Sequence, residues 1–169
     1  ETTALIAVQG PASEAVLLEA VETQSAQAVK DVKYYAITDA VFTTPEGPLP
    51  VQLARTGYTG EDGFEIYIDI ESDPTAAERL WSVLEKAGGP HGLVPCGLAA
   101  RDSLRLEAGM PLHGHELSED INPYQANLPI VALKTKDSFV GREALAKIKE
   151  EGPSSKLVGP VNDGKRAAR

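Results

Sequence analysis

A chain of 169 residues with 42% hydrophobic and 24% charged content is long enough to bury a core of its own, so disorder is not its default state. Its 16 basic and 25 acidic residues leave a net charge of -9, which works against nonspecific attraction to nucleic-acid phosphates or to anionic lipid surfaces. With Cys96 as the only cysteine, an intrachain disulfide and a thiolate zinc site are both excluded, and a reducing compartment fits best.

In chain order, Ala4 to Val8 reads as a short buried strand ended by Gln9-Gly10-Pro11, followed by a helix over Ala12 to Val21. Val32, Tyr34, Tyr35 and Ile37 predict a second strand, Pro50 to Thr56 a third and Phe64 to Ile70 a fourth, the last two pairing as a hairpin. Between them, Asp62-Gly63 is a short turn signal, and Gly57, Gly60 and Gly63 are expected to supply backbone angles that other residues resist. The alternation of Phe64, Ile66 and Ile68 with Glu65, Tyr67 and Asp69 turns Glu65 away from the core. A carboxylate fixed at the wall of a site and an ordinary solvated strand face both produce that pattern.

A helix is predicted from Pro74 to Ala87, capped by Asp73 and stopped by Gly88 and Gly89, with Leu80, Trp81 and Leu84 in the core. Another runs from about Gly97 to Ala108, with Leu98, Leu104 and Leu106 as apolar contacts and Arg101 and Arg105 on one face. Cys96, before it, reads as a small buried residue. Proline, glycine and asparagine punctuate Met110 to Leu128, which predicts a long ordered excursion, with His113 and His115 on a loop rather than at a metal. Ile130 to Leu133 reads as a strand, Gly141 to Lys149 as a helix and Leu157 to Gly159 as the start of a further strand. The fold class is α+β, a largely antiparallel sheet packed with helices. Lys165, Arg166 and Arg169 read as a solvated basic tail.

Arg101 and Arg105, one helical turn apart, can hold an anionic or polar ligand together, with Asp102 and Glu107 orienting them; an intrahelical ion-pair network is the simpler alternative. If Glu65 met Arg101, a carboxylate and a guanidinium would together read a planar amino-pyrimidinone ring. No serine-hydrolase elbow, phosphate loop or dinucleotide fingerprint is present, and no apolar run approaches the roughly 20 residues that span a bilayer.

The segments Thr56-Gly57-Tyr58-Thr59-Gly60-Glu61-Asp62-Gly63-Phe64-Glu65 and Gly97 to Gly109 resemble the two signature segments of the glycine cleavage system T-protein family, the folate-dependent aminomethyltransferases. Ala7-Val8-Gln9-Gly10-Pro11 and Phe139-Val140-Gly141-Arg142-Glu143-Ala144-Leu145 match in the same order, so the resemblance covers essentially the whole chain. It implies that Glu65 and Arg101 help to bind tetrahydrofolate, with Tyr58 at the pocket wall. It also implies transfer of an aminomethyl group from the lipoyl arm of the H-protein to tetrahydrofolate, with release of ammonia. Neither nucleic acid nor membrane enters as a partner.

Against that family, residues 1–153 correspond to the folate-binding domain without its N-terminal part, and residues 154–169 to the start of a connection to a C-terminal barrel domain. The family's catalytic aspartate falls before the match, so no residue here takes its role and the catalytic residues of this chain are unknown. Gln125 stands where many relatives carry glutamate, and Pro129-Ile130 replaces a glycine-aromatic pair. Lys136 to Glu143 lacks the cysteine of the related folate proteins of iron-sulfur cluster maintenance, which disfavours that family. The alternative function is a non-catalytic folate-binding or interaction module of the same fold. The expected compartment is the bacterial cytoplasm, with the mitochondrial matrix as the other choice.

Overall fold

A computed structural model describes residues 2–128, 130 and 132–159, and the chain divides into two compact units, Glu1–Ala108 and Gly109–Arg169. In the first, strands β1 (Thr3–Gln9), β2 (Ile37–Thr44), β3 (Gly47–Ala54) and β4 (Gly63–Asp69) form one antiparallel sheet in the order β1-β4-β3-β2. The period-2 pattern sets its faces: Ile6 pairs with Ile66 and Val8 with Phe64 on the buried side, while Ala7 pairs with Glu65 and Leu5 with Tyr67 on the other. Helices α1 (Ser13–Ala20), α2 (Ala26–Asp31) and α3 (Ala76–Gly88) pack Val16, Leu17, Val29, Leu80 and Leu84 against the buried face. Phe42, Leu53, Phe64, Ile66 and Leu80 are fully buried, and each such side chain contributes about 1.5–3 kcal/mol of transfer free energy. The α+β class and the antiparallel sheet agree with the sequence reading.

Several elements differ from expectation. The second strand begins at Ile37, where the predicted one was to end, because Tyr35 takes a left-handed backbone (φ 63°) that no strand sustains. The predicted pairing of the third and fourth strands forms, and β2 and β3 make a further hairpin through a two-residue turn, with Thr44 opposite Gly47, whose φ of 120° suits glycine. Pro48 and Pro50 sit inside β3 beyond its last pair with β4, Gln52 with Tyr67, so this stretch is a sheet edge that tolerates proline. Asp62-Gly63 is not a tight turn: residues 55–62 form a loop of their own between β3 and β4. Of the three glycines expected to need special angles there, only Gly60 (φ 76°) has one.

Helix α3 starts at Ala76, and Asp73 accepts from the Thr75 amide at 3.1 Å rather than capping the helix itself. Trp81 is 42% exposed and not a core residue; the buried stripe of α3 runs through Ala76, Leu80, Leu84 and Gly88. The following helix, α4 (Leu98–Glu107), forms where predicted, but Leu98, Leu104 and Leu106 are exposed, as is Cys96. Its one buried side chain is Arg105.

In the second unit, residues 110–128 carry only isolated bridges, His113 with Leu117 and Ser118 with Ile121, as expected of a long ordered excursion. Gln125 ties this stretch to the segment after the last helix. Its side-chain oxygen accepts from the Asn122 amide and side chain at 3.0 and 2.7 Å, its nitrogen donates to Ser154 and Ser155, and its carbonyl accepts from the Leu157 amide at 2.7 Å. Where a strand was predicted from Ile130, a short helix α5 (Ala132–Thr135) forms. Helix α6 (Arg142–Glu151) matches its prediction, while Leu157 to Gly159 forms no strand. Pro129, Lys165, Arg166 and Arg169 lie outside the described residues.

Candidate functional site

The loop of residues 55–62 is pinned at its neck by one guanidinium. Arg55 donates from Nε to Asp62 Oδ1 at 3.0 Å and from Nη2 to Asp62 Oδ2 at 2.6 Å, and Nη2 also meets Glu14 of α1 at 2.9 Å. Its Nη1 reaches the Val32 carbonyl at 3.4 Å, and its charge lies 5.1 Å from the ring centroid of buried Phe64. The bidentate pairing holds the Asp62 carboxyl below the usual carboxylate range and raises the Arg55 guanidinium in turn. The residue after β3 and the residue before β4 are therefore tied to each other, and the tip of the loop is presented from a closed base.

From that base the loop reaches two of the residues singled out by sequence. Glu65, half-buried on β4, accepts a 2.6 Å hydrogen bond from the Thr56 hydroxyl through Oε2. Tyr58 lies at the tip, with the Arg101 guanidinium of α4 5.7 Å from its ring centroid. One loop thus touches Glu65 at its start and Arg101 at its tip, although among the described residues no hydrogen bond or ion pair joins Glu65 to Arg101 directly. Of the two readings of Arg105, the intrahelical pair is the one observed: it is buried and bonded to Asp102 at 2.7 and 2.9 Å. The helix separates the two arginines by environment, one held in the fold and one at the surface.

Beside the loop, a groove of about 520 Å³ runs along β1, lined by Leu5, Gln9, Thr59, Trp81, Arg101 and Leu104 among others. It has an apolar wall and, around Gln9, Thr59 and Arg101, a polar one, the mixture that holds a small organic ligand. Glu65 and Tyr58 are not among its lining residues. A recess of about 740 Å³ lined by Glu19, Glu46, Arg79 and Lys86 contains none of the sequence-selected residues. Among the described residues there is no group of three or more histidine, cysteine or acidic side chains that could hold a metal, and no helix is long and apolar enough to cross a membrane.

The sequence reading gave Asp62 only a place in a turn and Gln9 only the end of a strand, and it assigned neither these nor Arg55 a part in the site. The Gln9 amide nitrogen donates to the carbonyls of Thr56 and Phe64 at 3.1 and 3.3 Å, and its oxygen accepts from the Thr59 hydroxyl at 3.3 Å. The signal available was the polar residue at the end of an apolar strand, which reads more simply as the strand's end.

The family model described as the GCVT N-terminal domain matches residues 1–136. Proteins named aminomethyltransferase are similar to the chain: one from Streptomyces avermitilis is 48% identical over 170 residues, covering 98% of this chain and 42% of the relative. One from Corynebacterium aurimucosum is 48% identical over 166 residues, covering 98% and 43%, and one from Cutibacterium acnes 48% over 172 residues, covering 99% and 44%. The chain thus spans less than half the length of these relatives. A crystal structure of glycine cleavage system aminomethyltransferase T from Bartonella henselae aligns with 90% of this chain and 62% of its own at 22% identity and a TM-score of 0.47.

Proposed function

The chain belongs to the aminomethyltransferase family of glycine cleavage T-proteins, and from that membership we propose that its first unit supplies part of a tetrahydrofolate site. Glu65, Tyr58 and Arg101 recognise the pterin. The observation that carries this reading is the loop that bonds Glu65 through Thr56 and meets Arg101 through Tyr58.

The residues fit such a substrate. Glu65 Oε2 is engaged by Thr56 while Oε1 has no partner among the described residues, so the carboxylate is oriented and still able to accept from an amino group or ring N–H. Arg101 on the Tyr58 face offers a cation and an aromatic surface against which a planar ring can lie. In the longer family protein the same residues would hold tetrahydrofolate while the aminomethyl group arrives on the lipoyl arm of the H-protein, ammonia leaves and methylenetetrahydrofolate forms. Their part is to bind and orient, so that the acceptor nitrogens meet the incoming carbon without a further search. The bacterial relatives support the bacterial cytoplasm as the compartment.

Calorimetric titration with tetrahydrofolate tests the assignment. Glu65→Ala and Arg101→Ala are each expected to weaken binding about tenfold to a hundredfold, the cost of losing one charge-assisted contact. Arg142→Ala on α6 serves as the control and is expected to bind as the parent does. Absence of saturable binding, or affinity unchanged in both site variants, overturns the reading.

A further inference from the structure

We propose that Gln9 is a positioning residue for the Thr56–Thr59 segment, and that Gly57 and Gly63 are glycine to make room for its side-chain amide. This rests on the folate reading only for what the segment binds. The last residue of β1 reaches across the neck of the loop and satisfies three groups on three different residues: the Thr56 and Phe64 carbonyls through Nε2, and the Thr59 hydroxyl through Oε1. Thr56 in turn bonds Glu65, and Thr59 follows Tyr58, so one amide fixes the neighbours of two of the three proposed recognition residues.

The space around that amide explains the glycines. A Cβ on Gly57 would fall 1.8 Å from Gln9 Oε1, and a Cβ on Gly63 2.5 Å from Gln9 Cδ, Nε2 and Oε1, distances that real side chains do not show. Neither glycine has a positive φ, whereas Gly60 does, so their backbones would accept an alanine, and the nearest atoms in its way are those of the Gln9 amide. The two glycines and the glutamine form one steric unit: a slot between two chain segments with an amide seated in it. A glutamine held only to fill space would be replaced equally well by an isosteric glutamate. Here the nitrogen must donate to two carbonyls, which a carboxylate cannot do.

The test is a mutant cycle on the whole chain, with backbone ¹⁵N order parameters at residues 57–60 and tetrahydrofolate affinity as separate readouts. In Gln9→Ala and in Gln9→Glu the order parameters are expected to fall from about 0.85 to below about 0.6, while Ile66 and Ile68 stay rigid. Tetrahydrofolate affinity is expected to drop about tenfold in both. Gly57→Ala is expected to give the same loosening, and Gly57→Ala combined with Gln9→Ala to be no worse than Gln9→Ala alone, because the clash has lost one partner. Additive effects of Gly57→Ala and Gln9→Ala, or parental order and affinity in Gln9→Glu, overturn the proposal. If the parent chain binds no tetrahydrofolate, the folate reading fails while the order parameters and the cycle still decide the role of Gln9.

Discussion

Arg55 and Asp62, seven residues apart, close the base of the β3–β4 loop with two parallel hydrogen bonds of 3.0 and 2.6 Å. The guanidinium is 18% exposed and the carboxylate 38%, so the pair is partly screened and its strength comes from bidentate geometry more than from burial. Its consequence is mechanical: whatever the loop presents is presented from a fixed base.

Asp62→Asn is expected to lower stability by about 1 kcal/mol at neutral pH, the upper range for a partly exposed ion pair. The pH dependence has a definite sign. Because the folded Asp62 carboxyl titrates below its unfolded value, its contribution is fully present above about pH 4 and is lost as the pH falls through the folded value. Urea unfolding at pH 7 and below pH 4 checks this: the difference between parent and variant should shrink on acidification. A difference that is constant or grows would contradict the pairing.

Leu80 and Trp81 are neighbours on α3 with opposite fates. Leu80 is fully buried, and Leu80→Ala is expected to cost about 2–5 kcal/mol. Trp81 is 42% exposed beside the groove, and Trp81→Ala is expected to cost less than Leu80→Ala despite removing the larger side chain. Denaturant midpoints for the two variants decide the order.

Gly60 combines a φ of 76° with a close approach: an added Cβ would lie 2.5 Å from the Ala108 Cβ. Gly60→Ala is therefore expected to destabilise by at least the 1–2 kcal/mol or so of a left-handed alanine, with the clash added. Gly114 also has a positive φ (92°) but open space around it, so Gly114→Ala is expected to cost less. Thermal melts of the pair separate the backbone penalty from the steric one.

Much of this was legible in the sequence, for local reasons. The strict alternation from Phe64 to Asp69 fixed the face of Glu65, and the glycines flanking α3 marked its end, because period and breaker chemistry act over a few residues. Trp81 misled because its spacing fits the apolar stripe of α3, yet the stripe is narrow and the indole lies on its rim beside the groove. The β2–β3 hairpin was missed because the second strand was placed before Ile37 and the third was begun only at Pro50, after Pro48, whose place inside β3 is tolerated because this part of β3 is an edge. Arg105 resembled Arg101 in type and spacing; only the packing of α4 separates a buried structural arginine from an exposed one. Gln9 showed locally only as a polar strand end, because the partners that define its role lie 47 and 55 positions away.

The two Gln9 amide bonds that close the neck of the loop bridge 47 and 55 positions of chain. Such contacts form only after the intervening segment has been drawn together, with its loss of chain freedom already incurred. An isolated peptide containing Tyr58 and Glu65 would therefore carry the recognition side chains without their arrangement. The arrangement depends on the pairing of the first strand with the fourth.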